Sequence, residues 1–276
     1  MTIAADPLWL VLLAACMAAT GLVSGLLAGL LGVGGGIVIV PVLSVVLPLL
    51  GIDPAVQHKL AIATSLATII PTSIVSARKH HAKGAVDVPL LRSIAVAMVV
   101  GTLAGTALVA SLRGQTLTLI FAVVALLVAA NLGLTGENFR LRDRLPGGAA
   151  LQAIAAGIGG FSALMGIGGG TLGVPVLAMF GTPIRSAVAT ASVFGILISI
   201  PATIASIFLG WGNPGNPPYS LGYVSLVGVA TIAPTSILAA PWGVKLAHSI
   251  PPLWLKRAFA VFLVVTAVRM FVAALG

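Results

Sequence analysis

Almost the whole chain is a succession of apolar runs, most of them near twenty residues long, parted by short polar joints. A helix needs about 20 such residues to cross the hydrocarbon core of a bilayer. Only 7% of the residues are charged and 59% are hydrophobic, where a soluble domain would carry roughly a quarter charged. The 276 residues are therefore expected to form one membrane bundle, not two soluble domains. The net charge of +9 does not point to nucleic acid. The basic residues sit in joints between apolar runs, whereas a nucleic-acid surface masses them on a folded face.

Ten runs can be drawn: Leu8–Leu31, Gly36–Leu50, His58–Ala77, Val88–Leu112, Thr116–Leu134, Gly148–Met165, Gly170–Phe180, Ser186–Leu209, Leu221–Ala247 and Leu253–Ala274. The second and seventh are too short to cross comfortably as independent helices, and each follows a glycine cluster. Broken elements at membrane depth need protein or a cavity to cover their free backbone. The single cysteine, Cys16, lies in a lipoprotein-like box, Leu13–Cys16. No Lys or Arg precedes it as a signal peptide requires, so it is expected to be a small buried residue of the first helix. One cysteine also leaves no disulfide framework and no cysteine metal cluster.

The two halves repeat each other. GVGGGIVIVPVL (Gly32–Leu43) returns as GIGGGTLGVPVL (Gly166–Leu177), KLAIATS (Lys59–Ser65) as RSAVATA (Arg185–Ala191), and FAVVALLVA (Phe121–Ala129) as FAVFLVVTA (Phe259–Ala267). Matches in the same order mark an internal duplication. With five segments each, an odd number, the two units are expected to lie in opposite orientations, as in many secondary transporters. Residues 1–135 would form the first repeat, 136–147 a basic cytoplasmic linker and 148–276 the inverted second repeat. Ten crossings with both termini periplasmic put eleven of the fourteen Lys and Arg on the inner side, among them Arg78, Lys79, Lys83, Arg140 and Arg185. Cytoplasmic joints attract such residues. Re-entrant hairpins for the short pair would give the same sidedness. Gly21, Gly25 and Gly29, like Gly101 and Gly105, recur every four residues, a spacing that lets helix backbones approach closely.

The paired GxGGG carries the main chemical signal. Successive glycines expose backbone amides, and a short helix starting there adds the positive end of its dipole, which together make an anion site without a charged side chain. The candidates are Gly34, Gly35 and Gly36 with Gly168, Gly169 and Gly170; a sharp structural turn is the alternative. The motif is no dinucleotide fingerprint, because the spacing differs and no strand precedes it. A second motif, AxAT, places Thr64 and Thr190 at matching positions, with Ser65 beside the first only. Their hydroxyls could donate to an anion or bond back onto their own helices. Lys59 and Arg185 stand just ahead, either drawing anions into the two mouths or anchoring helix ends at the headgroups. Arg269, within the last run and aligned with Asn131, reads as a snorkelling residue.

All five carboxylates (Asp6, Asp53, Asp87, Glu137 and Asp143) fall in joints or tails. His58, His80, His81 and His248 are expected there too, which leaves no metal ligand set and no proton relay. GFSA (Gly160–Ala163) is one residue from the serine motif of rhomboid-type proteases, but a nucleophilic serine needs a base beside it. No enzyme is expected, and no cofactor.

The duplicated GxGGGxxxxP and AxAT motifs, with the basic and histidine-bearing joint Arg78–Lys83, resemble the TauE/SafE family of sulfite exporters, also called TSUP transporters. The resemblance spans essentially the whole chain. It carries the family motifs onto Gly32, Gly34, Gly35, Gly36 and Thr64, and onto Gly166, Gly168, Gly169, Gly170 and Thr190. It implies an anion transporter that exports sulfite or a related organosulfur anion. The expected fold is an all-α membrane protein, a polytopic bundle of two inverted five-segment repeats with glycine-broken short helices, in a bacterial inner membrane. Its partners would be a small anion such as sulfite and the lipid bilayer, without nucleic acid and with a homo-oligomer left open. The rivals are a carrier of another small anion (a sulfonate or short carboxylate) and a membrane assembly factor without transport activity.

Overall fold

The computed structural model describes residues 7–112 apart from Val33, residues 145–247, and scattered residues of 113–144 and 248–276. The fifth and tenth runs, the linker 136–147, and the Arg269–Asn131 correspondence lie largely or wholly outside the described residues. What is described is helical: α1 Pro7–Leu31, α2 Gly36–Leu49, α3 Pro54–His81, α4 Val88–Ser111, α5 Gly148–Met165, α6 Gly170–Met179, α7 Ile184–Leu209 and α8 Leu226–Ala247. Six of these are long and apolar enough to cross a membrane, and α2 and α6 are shorter. At about 1.5 Å per residue, those two fall well short of a hydrocarbon core about 30 Å thick. The chain is a multi-pass helical membrane protein.

Helix ends follow local chemistry. The Asp53 side chain accepts from Ala55 N–H ahead of α3, and the Asp87 side chain accepts from Leu90 N–H ahead of α4, each with a proline in the first turn. These caps satisfy amides that a helix start leaves open. Capped at its start by Asp53, α3 extends beyond the apolar run at both ends, and its last turn carries Arg78, Lys79, His80 and His81, which suit the negative end of the helix dipole. That corrects the placement of the histidines: His58, His80 and His81 are helical, and His80 is buried with Nε2 3.2 Å from the Gly29 carbonyl oxygen. The ninth run also starts later than expected. Ser220–Leu221 and Val224–Ser225 pair as a two-residue antiparallel hairpin before α8 begins at Leu226.

Close backbone contacts set the helix directions. Along α1, Gly21 lies under Ile232 of α8, Gly25 under Ser236 and Gly29 under Ala240; a Cβ at Gly25 would stand 2.7 Å from Ser236 Cα. Along α4, Gly101 meets Ala156 of α5 and Gly105 meets Gly160. Each series advances in the same sense, so α1 runs parallel to α8 and α4 parallel to α5. Lys59, near the start of α3, donates to the carbonyl of Ala110 at the end of α4 (2.9 Å). Those two helices are therefore antiparallel. Thr64 touches Gly228, and Thr72 shares a 2.9 Å hydroxyl contact with Ser236, which aligns α3 with α8. The start of α7 joins the start of α4 through Ser186 Oγ–H to the Ala85 carbonyl. Thus α1, α3 and α8 point one way, and α4, α5 and α7 the other.

Candidate functional site

The two glycine breaks meet each other inside the bundle. A Cβ on Gly34 would lie 3.1 Å from Gly168 Cα, and one on Gly36 would overlap the Gly166 carbonyl oxygen. Both breaks are buried. Gly32 and Gly166 share φ near +67°, and Gly35 and Gly169 have φ of 78° and 73°, a left-handed conformation that side chains resist. Gly34 is also left-handed (φ 74°) while its counterpart Gly168 is not, so the duplication is inexact at its centre. The glycines therefore serve both a sharp turn and a close approach. They start α2 and α6 at the same place, with left-handed Gly35 and Gly169 as N-caps that offer no side-chain hydrogen bond. Two uncapped helix starts direct open amides and positive dipole ends into one buried region.

Hydroxyls line that region. Ser65 Oγ–H donates to the Gly166 carbonyl (2.7 Å), so the first repeat holds the second break in place. Ser24 Oγ stands against the Cα of Gly35, and Thr171 lies in the first turn of α6; both are buried, and neither hydroxyl has a hydrogen-bond partner among the described residues. Sequence reasoning missed these two. Ser24 sits on the face of Gly21 and Gly25, read only as packing, and Thr171 aligns with apolar Ile37 in the other half.

Thr64 and Thr190 are fully buried and do not bond back onto their helices, as Thr68 and Thr72 do onto the carbonyls of Thr64 and Thr68. Each accepts a backbone N–H from the other repeat instead: Ser225 N–H to Thr64 Oγ1 at 2.9 Å, and Asp87 N–H to Thr190 Oγ1 at 3.0 Å. A hydroxyl used as an acceptor keeps its hydrogen for donation.

Residues 17–270 match the family model described as Sulfite exporter TauE/SafE. The chain belongs to the TauE/SafE family. It is 34% identical over 256 residues to a probable membrane transporter protein of Haemophilus influenzae, covering 91% of this chain and 95% of that one. A probable membrane transporter protein of Methanocaldococcus jannaschii is 27% identical over 237 residues, covering 86% and 87%. No solved structure matches it. This TauE/SafE chain is thus a membrane transporter and not an enzyme. The serine of its GFSA motif, Ser162, is buried with no hydrogen-bond partner among the described residues.

The remaining sequence candidates in this TauE/SafE protein divide. Lys59 is half-buried; besides capping α4 it lies over the Tyr223 ring, 5.6 Å from the centroid. Its ammonium is engaged in tying elements together, a role sequence reasoning did not foresee. Arg185 is exposed at the start of α7. Neither is hydrogen-bonded to a glycine of the breaks among the described residues. Cys16 corrects a further expectation: it is in α1 but exposed. In a membrane protein the outer face is as apolar as the core, so a small apolar-type residue is at home there.

Proposed function

We propose that this TauE/SafE chain exports sulfite or a related organosulfur anion across a bacterial inner membrane, holding the anion between the two glycine breaks. The observation that carries this reading is the meeting of two uncapped helix starts beside Ser24, Ser65 and Thr171. The donors would be the amides around Gly34–Gly36 and Gly168–Gly170, while Thr64 and Thr190, nearer the two faces, would meet the anion on its way in or out. Such neutral donors, fixed in a water-poor interior, hold an anion without burying a counter-charge. Contact between Gly34 and Gly168 closes the region, so the anion enters as the breaks part and the Ser65 hydroxyl releases the Gly166 carbonyl.

The repeats are read as inverted, spanning 1–135 and 148–276 with the linker 136–147 cytoplasmic and both termini periplasmic. Support comes from the helix directions, since α1 opposes its counterpart α5, α3 opposes α7, and α4 opposes α8. Lys59 and Arg185 then belong to opposite mouths. The test is counterflow: proteoliposomes loaded with unlabelled sulfite should accumulate external labelled sulfite, and short carboxylates in the lumen should substitute poorly. Accumulation driven better by a carboxylate would reassign the cargo. No counterflow with any small anion would end the anion reading.

A further inference from the structure

We infer that Thr64 and Thr190 are paired gate latches, each tying shut the joint at one face of the membrane. This deepens the proposed anion site and rests on that reading only where it couples the latches to the anion. The two bonds are equivalent by sequence and reciprocal in space. Thr64, on α3 of the first half, takes the N–H of Ser225, which leads into α8 of the second. Thr190, on α7 of the second half, takes the N–H of Asp87, which leads into α4 of the first.

They also lie toward opposite ends of the bundle. Asp87 follows the C-terminal end of α3, whereas Ser225 bonds to its N-terminal half, and α3, with 28 residues, is about 42 Å long. At the Asp87 face, Ser186 Oγ–H to the Ala85 carbonyl adds one more tie across the same joint. At the other face, Gly228 N–H donates to Ser225 Oγ, which fixes Ser225 to the start of α8. Each tie is a single bond onto a joint. Breaking it disrupts no helix, and one net hydrogen bond changes a population only about tenfold.

The chemistry of the threonine oxygen supplies the coupling. Each Oγ1 accepts from the joint, and its hydrogen meets no acceptor among the described residues. When that hydrogen is donated to an anion, the oxygen becomes a stronger acceptor for the joint N–H, because hydrogen bonds in a chain polarise one another. Occupancy therefore tightens the joint over the anion, and departure loosens it. A passive structural tie would require only the acceptor.

The test uses purified full-length protein in detergent, where both faces are open to reagent. Cys16→Ser removes the native thiol. Ala61→Cys and Ala187→Cys are the reporters: both alanines are fully buried, and each stands three residues before its threonine, on the same helix face. Thr64→Val should speed maleimide labelling of the Ala61→Cys reporter about tenfold and leave the Ala187→Cys reporter unchanged. Thr190→Val should do the converse, and Thr→Ser at either position should label like the parent. Reporters that speed up together, or not at all, would overturn the latches. Sulfite should slow labelling in the parent, and a valine should abolish that protection at its own reporter. Valine effects confined to one face with no response to sulfite would leave the latches standing and remove the sulfite reading.

Discussion

Gly36→Ala adds one methyl group where the two breaks touch. Its Cβ would overlap the Gly166 carbonyl oxygen and stand 2.8 Å from Ile69 Cδ1 and 2.9 Å from Ser65 Oγ. Ile69 can rotate away, but the carbonyl is backbone and is held by Ser65. Overpacking of this kind costs about 1–3 kcal/mol. Pushing the carbonyl off the Ser65 hydroxyl strands a buried acceptor, at about 1–3 kcal/mol more. We expect a loss of roughly 2–4 kcal/mol, since relaxation of one contact relieves the other. That leaves a folded protein against a typical stability of about 5–15 kcal/mol, with its melting temperature lowered on the order of 5–10 °C. The same change at Gly157 is the control. Gly157 lies inside α5 with open space where a Cβ would go, and alanine there should gain about 0.5–1 kcal/mol through helix propensity alone. Thermal unfolding followed by circular dichroism in one detergent reads both signs. If Gly36→Ala melts with the parent, or Gly157→Ala loses as much, the close approach of the breaks is not what holds this region together.

Other expectations follow from the same contacts. Lys59→Gln removes a charged donor from the end of α4 and should cost about 1 kcal/mol or more in unfolding experiments, whereas Arg185→Gln should leave stability unchanged and weaken apparent anion affinity, more so at low salt. Equal effects of the two on stability would refute the difference in their surroundings. For sidedness, the thiol of Lys83→Cys should be shielded from an impermeant reagent in intact cells and that of Pro214→Cys should react, both in a Cys16→Ser background. Reversed labelling would invert the topology.

Much of the fold was legible because membrane helices announce their length and because glycine clusters mark the starts of the two short helices. Asp53, read only as a joint carboxylate, caps α3, which starts at Pro54, four residues before the expected start at His58. The glycine faces of α1 and α4 were legible as packing surfaces, but their partners were not. Gly25 meets Ser236 and Gly101 meets Ala156 across long stretches of chain, and nothing local encodes that pairing. Thr64 and Thr190 stood out by repetition, while their acceptor role depends on Ser225 and Asp87 in the opposite halves. His80 was misplaced because hydropathy ends a run at its first charges, although the backbone continues helically through Arg78 and Lys79. Cys16 was misjudged because apolar character does not distinguish core from lipid face.

The proposal that this chain exports an anion is tested most directly by imposing a membrane potential, because an exported anion carries its charge outward. Asp53 and Asp87 are spent as helix caps, and His80 is a buried titratable side chain among the described residues. One elementary charge across 100 mV is worth about 2.3 kcal/mol, and roughly 1.4 kcal/mol makes a factor of ten. An inside-negative potential should therefore favour an anion outside by about fortyfold. In proteoliposomes loaded with sulfite, a valinomycin potassium diffusion potential, negative inside, should accelerate efflux with no proton or sodium gradient present, in the parent and in His80→Gln alike. Efflux that ignores the potential and demands a proton or sodium gradient would contradict the account, and its loss in His80→Gln would identify the coupling residue.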